Sequence, residues 1–534
     1  MGIKQMKMRA VLNVLIVAVP VAAMFDGARA QEAALPKKLI GMYVHQHWPY
    51  NHPYAARTWT IADWRGYADG LKQIGYNSVL IWPVLETMPE PLPPSDRASL
   101  QKLQKVIDML QGEFGMRVYI VLCPNVAAID EEARRATFEK RHFFYSDKRV
   151  NPADKAAIEK MIRWREQLFK YLAKAEGVAI IDSDPGGYAG STNREFVDLL
   201  LEHRKMFDRL RPGIELIYWM HVGWAAYGRW YSTGKFSLAS DEEFIDTLNM
   251  LKAANPEPWG LAGGQRHPYE KAALNERMIG FNYGRIEGEP SFPMTNFGGA
   301  SAYEGGTAML PRGVMGNAQT HCVQLPNTFA FARGANGQPV NEDDYVAFAD
   351  RLIRGQGRTI VDAWKAIGGN DSATMRVAAK QLAALSRQRL STGDLRGLLF
   401  GSPRRFLNDL VLQLRVKAAY SDFVRAVDSG QGVAPALASF IAATERWQRT
   451  HGYENMWGFP GMNETLRKLN SPTVNHVLDY IDVTGVWFEK NPGATPFERI
   501  RAGFRSVETY TPQMISALKQ TLVKLRGGAN SEQQ

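Results

Sequence analysis

Val178-Ala179-Ile180-Ile181-Asp182-Ser183-Asp184-Pro185-Gly186-Gly187-Tyr188 joins four apolar residues to two carboxylates and a glycine turn. The apolar part is short and bounded by turn residues, so it reads as a buried strand with Asp182 and Asp184 at its carboxyl end. Residues i and i+2 at a strand end project to the same side, so both carboxylates can face one cavity. Repulsion there would drive their pKa values apart. Asp, Pro and Gly are also ordinary turn residues, and taken alone the stretch reads equally well as a turn. Its place in a longer pattern decides the matter.

From residue 39 to about residue 335, short runs rich in Ile, Val and Leu alternate with longer amphipathic stretches, the mark of repeated βα units and a parallel sheet. Strands are expected at Leu39–Val44, Ser78–Trp82, Arg117–Leu122, Val178–Ile181, Ile214–Trp219, Trp259–Ala262, Met278–Asn282 and Gly313–Gly316. Helices are expected between them at Ile61–Ile74, Ala98–Phe114, Ala153–Glu176, Arg194–Leu210 and Asp241–Ala254. Eight such strands imply a (β/α)8 barrel of the α/β class, with a doubly wound open sheet as the alternative. Beyond Pro339 the texture becomes helical, over Asp343–Arg354, Asp371–Ser386, Pro403–Val427, Ala434–Thr450 and Thr511–Leu525, which predicts a helical second domain. The expected organisation is a leader over 1–30, the barrel over 31–339, the helical domain over 340–527 and a polar, disordered tail over 528–534.

The leader reading rests on Lys4, Lys7 and Arg9, the apolar run Ala10–Phe25, and Ala28-Arg29-Ala30 as a cleavage site. That implies a periplasmic or secreted protein, with no membrane span once the leader is removed. Two cysteines, Cys123 and Cys322, exclude a disulfide framework; buried thiols are expected, with one bridge as the alternative. The net charge of +10 falls partly in the leader but leaves the rest of the chain basic, which hints at an anionic substrate or surface. No Lys/Arg-dense tract interleaved with aromatics points to nucleic acid. The sequence leaves oligomeric state open.

Barrel active sites lie at the carboxyl ends of the strands, so the residues just after each expected strand form one candidate ring. It holds His45, Gln46, His47 and Trp48, then Glu86, Asn125, Asp182 and Asp184, then His221 and Trp224. Gln265, Arg266 and His267 follow the sixth strand, Tyr283, Arg285 and Glu287 the seventh, and Asn317, Gln319 and His321 the eighth. Sugars present apolar faces edged with hydroxyls, which suits aromatic platforms such as Trp48, Trp59, Trp82, Trp219, Trp224 and Trp230 beside hydrogen-bonding amides and imidazoles. Glu86 or Glu287 would oppose the aspartates in a two-carboxylate mechanism, and Arg266 and Arg285 would take a uronate carboxylate. No cofactor or metal is called for.

The chain resembles secreted barrel glycoside hydrolases with a helical domain after the barrel, such as the β-N-acetylhexosaminidase-like and α-glucuronidase-like families. The resemblance rests on the leader, Tyr43-Val-His-Gln-His-Trp48, Thr60-Ile-Ala-Asp-Trp-Arg65 through Gly75-Tyr-Asn-Ser-Val-Leu-Ile-Trp82, the Asp182–Gly187 turn and the helices after Pro339. It implies a carbohydrate substrate, Asp184 as general acid, Asp182 as the orienting partner and Tyr283 as a third member. This chain departs from that pattern in having Asp where those families have Glu as the second acid. Two rivals stand beside it. His45-x-His47, His221 and His267 resemble the metal ligands of amidohydrolase barrels; the eighth strand, ending Gly316-Asn317-Ala318-Gln319, lacks the Asp that pattern wants. A non-catalytic polysaccharide-binding barrel is the other.

Overall fold

The computed structural model describes residues 38–141, 147–183, 186–233, 237–264, 266–288, 294–297, 300–452, 459, 461–481 and 512–527. The leader, Asp184, Gln265 and the 528–534 tail lie outside them. No described helix is long and apolar enough to cross a membrane.

Eight parallel strands close into a barrel: β1 Leu39–His45, β2 Ser78–Trp82, β3 Arg117–Leu122, β4 Gly177–Ile181, β5 Glu215–Met220, β6 Trp259–Gly263, β7 Met278–Asn282 and β8 Gly313–Ala318. Each pairs with its neighbours in sequence, and β1 closes the ring by pairing with both β2 and β8, Tyr43 lying opposite Leu80 and Asn317. The open-sheet alternative is thereby excluded. Nearly every strand residue is buried, as a sheet covered by helices outside and side chains inside requires.

The interior is filled in layers. Tyr43, Trp219 and Phe281, from the odd strands β1, β5 and β7, meet with ring centroids 4.1 to 5.4 Å apart. At the amino-terminal end, Arg312 donates to both carboxylate oxygens of Glu215 at 2.6 and 2.9 Å, joining the entrance of β8 to that of β5. Gly260 on β6 leaves the room: a Cβ there would stand 2.1 Å from the guanidinium and 2.6 Å from the carboxylate.

Helix starts follow local chemistry. Thr60, Thr192, Ser240 and Asn341 each accept from the amide three residues on, and the acidic residue at that position bonds back to the cap. Helices at Trp224–Thr233, Ala300–Thr307, Leu325–Ala335 and Gly357–Gly368, and a hairpin of Val126–Ala128 with Asp147–Arg149, were not expected from the sequence. Internal glycines and short length weaken their periodicity.

The helices after Pro339 pack onto the barrel. Pro403–Ser429 lies between Ser372–Leu385 and Val433–His451, while Phe329 of the barrel helix Leu325–Ala335 stacks on Phe348 at 4.4 Å. Helix Ile61–Gln73 meets the turn Arg396–Leu399 backbone to backbone: a Cβ on Gly397 would lie 2.1 Å from the Gly66 carbonyl oxygen. Both cysteines are buried and unbridged.

Gly260→Ala is expected to lower stability by about 1–3 kcal/mol through overpacking against the Glu215–Arg312 pair. Urea unfolding checks it; Gly112→Ala, where a Cβ meets nothing within 4 Å, is the control and should be neutral or stabilising.

Candidate active site at the carboxyl end of the barrel

Three buried carboxylates, Glu86, Asp182 and Glu287, stand at the ends of β2, β4 and β7. Each reaches across to the main chain at the end of the next strand. The Glu86 carboxylate accepts from the Cys123 N–H just after β3 at 2.6 Å and from the Trp82 indole at 3.3 Å. Asp182 accepts from the His221 N–H at 3.3 Å and the Gly223 N–H at 3.2 Å, both after β5, and from the Ser183 and Tyr218 hydroxyls at 2.7 and 3.0 Å. Glu287 accepts from the N–H groups of Gln319 and Thr320 at 2.6 and 2.7 Å, after β8, and from the Thr320 hydroxyl and Gln324 amide at 2.5 and 3.1 Å. Burial raises the pKa of all three, and the hydrogen bonds oppose it.

Buried arginines complete the frame. Arg57 donates to the carbonyls of Gln46, His47, Phe138 and Arg141 at 2.5 to 2.9 Å, tying the loop after β1 to a distant segment. Arg165 donates to the carbonyls of Cys123, Pro124 and Val126 at 2.6 to 2.7 Å, fixing the loop after β3. The sequence reading missed both, although a lone arginine after the apolar Tyr54-Ala55-Ala56 is the kind of residue that must find carbonyls when buried.

His45 and His47 bring their Nδ1 atoms to 2.8 Å, so one ring donates and the other accepts. Burial holds both pKa values well below the ordinary histidine value, and the pair is neutral near pH 7. His321 bonds the Tyr67 hydroxyl at 2.7 Å, and burial lowers its pKa to about 3. The Trp48 indole N–H donates to Gln319, linking the loops of the first and last strands. Asn317 donates to the Glu287 carbonyl at 2.7 Å, and Gln319 reaches toward the Tyr283 hydroxyl at 3.4 Å. The structure thus gathers His45, His47, Trp48, Glu287, Asn317, Gln319 and Tyr283 on the β1, β7 and β8 side, and Asp182 with His221 on the β4–β5 side.

Other expected site residues lie apart. Trp224 is buried, bonds Ser191 at 3.0 Å and stacks on Phe196 at 5.0 Å. The six tryptophans read as sugar platforms are all under a tenth exposed, and Trp48 among them is bonded to a gathered site residue, Gln319. Arg266 is exposed, and exposed His267 pairs with Asp241 at 2.5 Å on the outer surface. Arg285 bonds Ser301 at 3.1 Å. His267 is therefore not gathered with the His45–His47 pair as the amidohydrolase reading needs. Among the described residues, no group of three His, Cys, Asp or Glu is arranged to hold a metal.

No family model matches the chain, and no curated protein matches it. Solved structures do. A GH138 enzyme targeting pectin rhamnogalacturonan II aligns at 9% identity over 78% of this chain and 63% of that one, with a TM-score of 0.44. A GH20 β-N-acetylhexosaminidase from Streptomyces coelicolor A3(2) aligns at 12% identity over 56% and 65%, with a TM-score of 0.32. A GH36 α-galactosidase from Geobacillus stearothermophilus aligns at 8% over 56% and 42%, with a TM-score of 0.30. The chain thus spans under two thirds of each. These neighbours are glycoside hydrolases, but at such scores the likeness carries no argument about this chain's activity.

Glu287→Gln can keep a carbonyl oxygen on the Gln319 and Thr320 N–H groups, which share Oε2, but it turns amide protons toward the Gln324 amide and Thr320 hydroxyl that bond Oε1, and a loss of about 1–3 kcal/mol is expected in urea unfolding. His321 gives a pH prediction. Its folded pKa of about 3 lies below the unfolded value of about 6.5, so the stability it contributes is present above pH 6.5 and lost as pH falls toward 3. In that window His321→Gln should reduce the slope of stability against pH by up to about 1.4 kcal/mol per pH unit. An unchanged slope would contradict a neutral, buried His321.

Proposed function

We propose that this chain is an exported glycoside hydrolase acting on an oligo- or polysaccharide that carries acidic or N-acetylated sugars. The observation that carries the reading is the set of three buried carboxylates, after β2, β4 and β7, around one barrel mouth, beside neutral imidazoles and amides. Glycosidic bond cleavage needs one carboxyl protonated at the leaving oxygen and others held ionised beside it, and buried, hydrogen-bonded carboxyls at one barrel mouth supply the held partners.

The three differ in how completely they are bonded. Asp182 and Glu287 each accept from four donor groups, which favours their ionised forms and suits positioning residues. Glu86, bonded by the Cys123 N–H and the Trp82 indole and facing the Arg165 charge, is the opposing carboxylate. Asp184, two residues beyond Asp182 in the chain, is the proposed proton donor, with Asp182 as its orienting partner. Substrate contacts are assigned to His221, Tyr283, Gln319, Asn317 and the His45–His47 pair.

The test is hydrolysis of a panel of chromogenic glycosides, N-acetylhexosaminides and uronides included, with metal content measured on the same preparation. Wild type should cleave at least one, and Asp184→Asn should lower kcat by about 10²- to 10⁴-fold with its melting temperature kept. No cleavage of any panel member, or full activity in Asp184→Asn, would sink the reading. Activity abolished by chelation of a stoichiometric metal would transfer the argument to the histidines.

A further inference from the structure

A cavity of about 950 Å³ lies between the segment after β7 and the helix Pro403–Ser429. Its described lining carries three cations, Arg285, Lys417 and Arg425, and no carboxylate. Arg425 is partly neutralised by Asp422, which Arg376 shares. Lys417 and Arg285 have no carboxylate within ion-pair distance among the described residues; Lys417 donates to the Ile367 carbonyl and Arg285 to the Ser301 hydroxyl. An ammonium has three protons to donate, so one carbonyl leaves it underused, and partial burial already pushes the Lys417 pKa down. For half-buried Lys417 the lack of a counter-ion is costly and an anionic occupant removes that cost, while exposed Arg285 adds positive charge at the rim.

The remaining lining is not what a simple ion site needs. Asn296 and Asn370 contribute amides, and Tyr420 stacks on Phe459 at 4.4 Å to form an aromatic wall. Amides beside an aromatic wall suit a ring with hydroxyl edges and apolar faces, and the volume is that of a small-molecule site. The cavity adjoins the barrel mouth through Arg285, two residues from Tyr283 and from Glu287.

We infer that this cavity is a second sugar-binding site, separate from the carboxylate ring, which takes a residue bearing a carboxylate or sulfate and directs the acid group to Lys417 and Arg285. That the occupant is a sugar rests on the carbohydrate reading above; the selection for an anion rests on the cavity alone.

The test is calorimetric titration of the full chain with glucuronate, glucose 6-sulfate, glucose and inorganic sulfate, which needs no catalysis. Both acidic sugars should bind, glucose and inorganic sulfate at least tenfold more weakly. Lys417→Met should weaken the acidic sugars at least tenfold, and Lys417→Arg should keep them. Equal binding by Lys417→Met and wild type would overturn the proposal, as would glucose matching glucuronate. Inorganic sulfate matching glucuronate would reduce the site to an anion site and overturn the sugar assignment. Should Lys417→Met unfold, Lys417→Gln replaces it in the same comparison. Hydrolysis of neutral glycosides without acidic-sugar binding would leave the enzymatic reading standing and this one rejected.

Discussion

The barrel mouth depends on a repeated interaction in which a buried carboxylate at one strand end accepts main-chain amide protons from the end of the next. Glu86 does this from β2 to β3, Asp182 from β4 to β5 and Glu287 from β7 to β8. Loops at a barrel's carboxyl end otherwise have no ladder to hold them, and a buried acceptor without donors would cost several kcal/mol. The same contacts therefore satisfy the acids and set the loops. Arg57 and Arg165 do the converse, supplying donors to carbonyls that have left the sheet.

That frame bears on the chemistry. A site that works by acid and base catalysis needs its groups fixed to within fractions of an ångström and shielded from water. Here the neutral His45–His47 pair sits over Tyr43, whose ring lies 4.1 Å from that of His45, so the mouth rests on a rigid aromatic floor. On the other side, the loop after β1 is held by the helical half: the Asn51 amide donates to the His451 carbonyl at 2.8 Å, and Arg405 reaches the Tyr54 hydroxyl at 3.3 Å. Burial lifts the Asp409 carboxyl beside Arg405 to about 6. The helical half thus helps to set the loop after β1.

All eight strands were legible in the sequence to within a residue or two, because a strand buried on both faces is written as a continuous apolar run. The helices that open on Thr60, Thr192, Ser240 and Asn341 were legible too, as amphipathic stretches, although their caps went unread. The site was legible only as a ring of residue types. Glu287 and its donors Gln319 and Thr320 are 32 and 33 positions apart, and no local pattern distinguishes a carboxylate that braces a loop from one that meets a substrate. The tryptophans are limited in the same way: position after a strand says where an indole starts, whereas packing decides where its face ends.

Because the braces address the backbone, they are indifferent to most of the side chains around them. Any residue except proline offers an N–H at 123, 221, 223, 319 or 320, and any residue at all offers the carbonyls that Arg57 and Arg165 hold. The lining of the mouth can therefore drift in sequence, and with it the ligand, while a few buried acids and arginines keep its outline. Descendants of such a scaffold would share a shape long after their sequences had ceased to align.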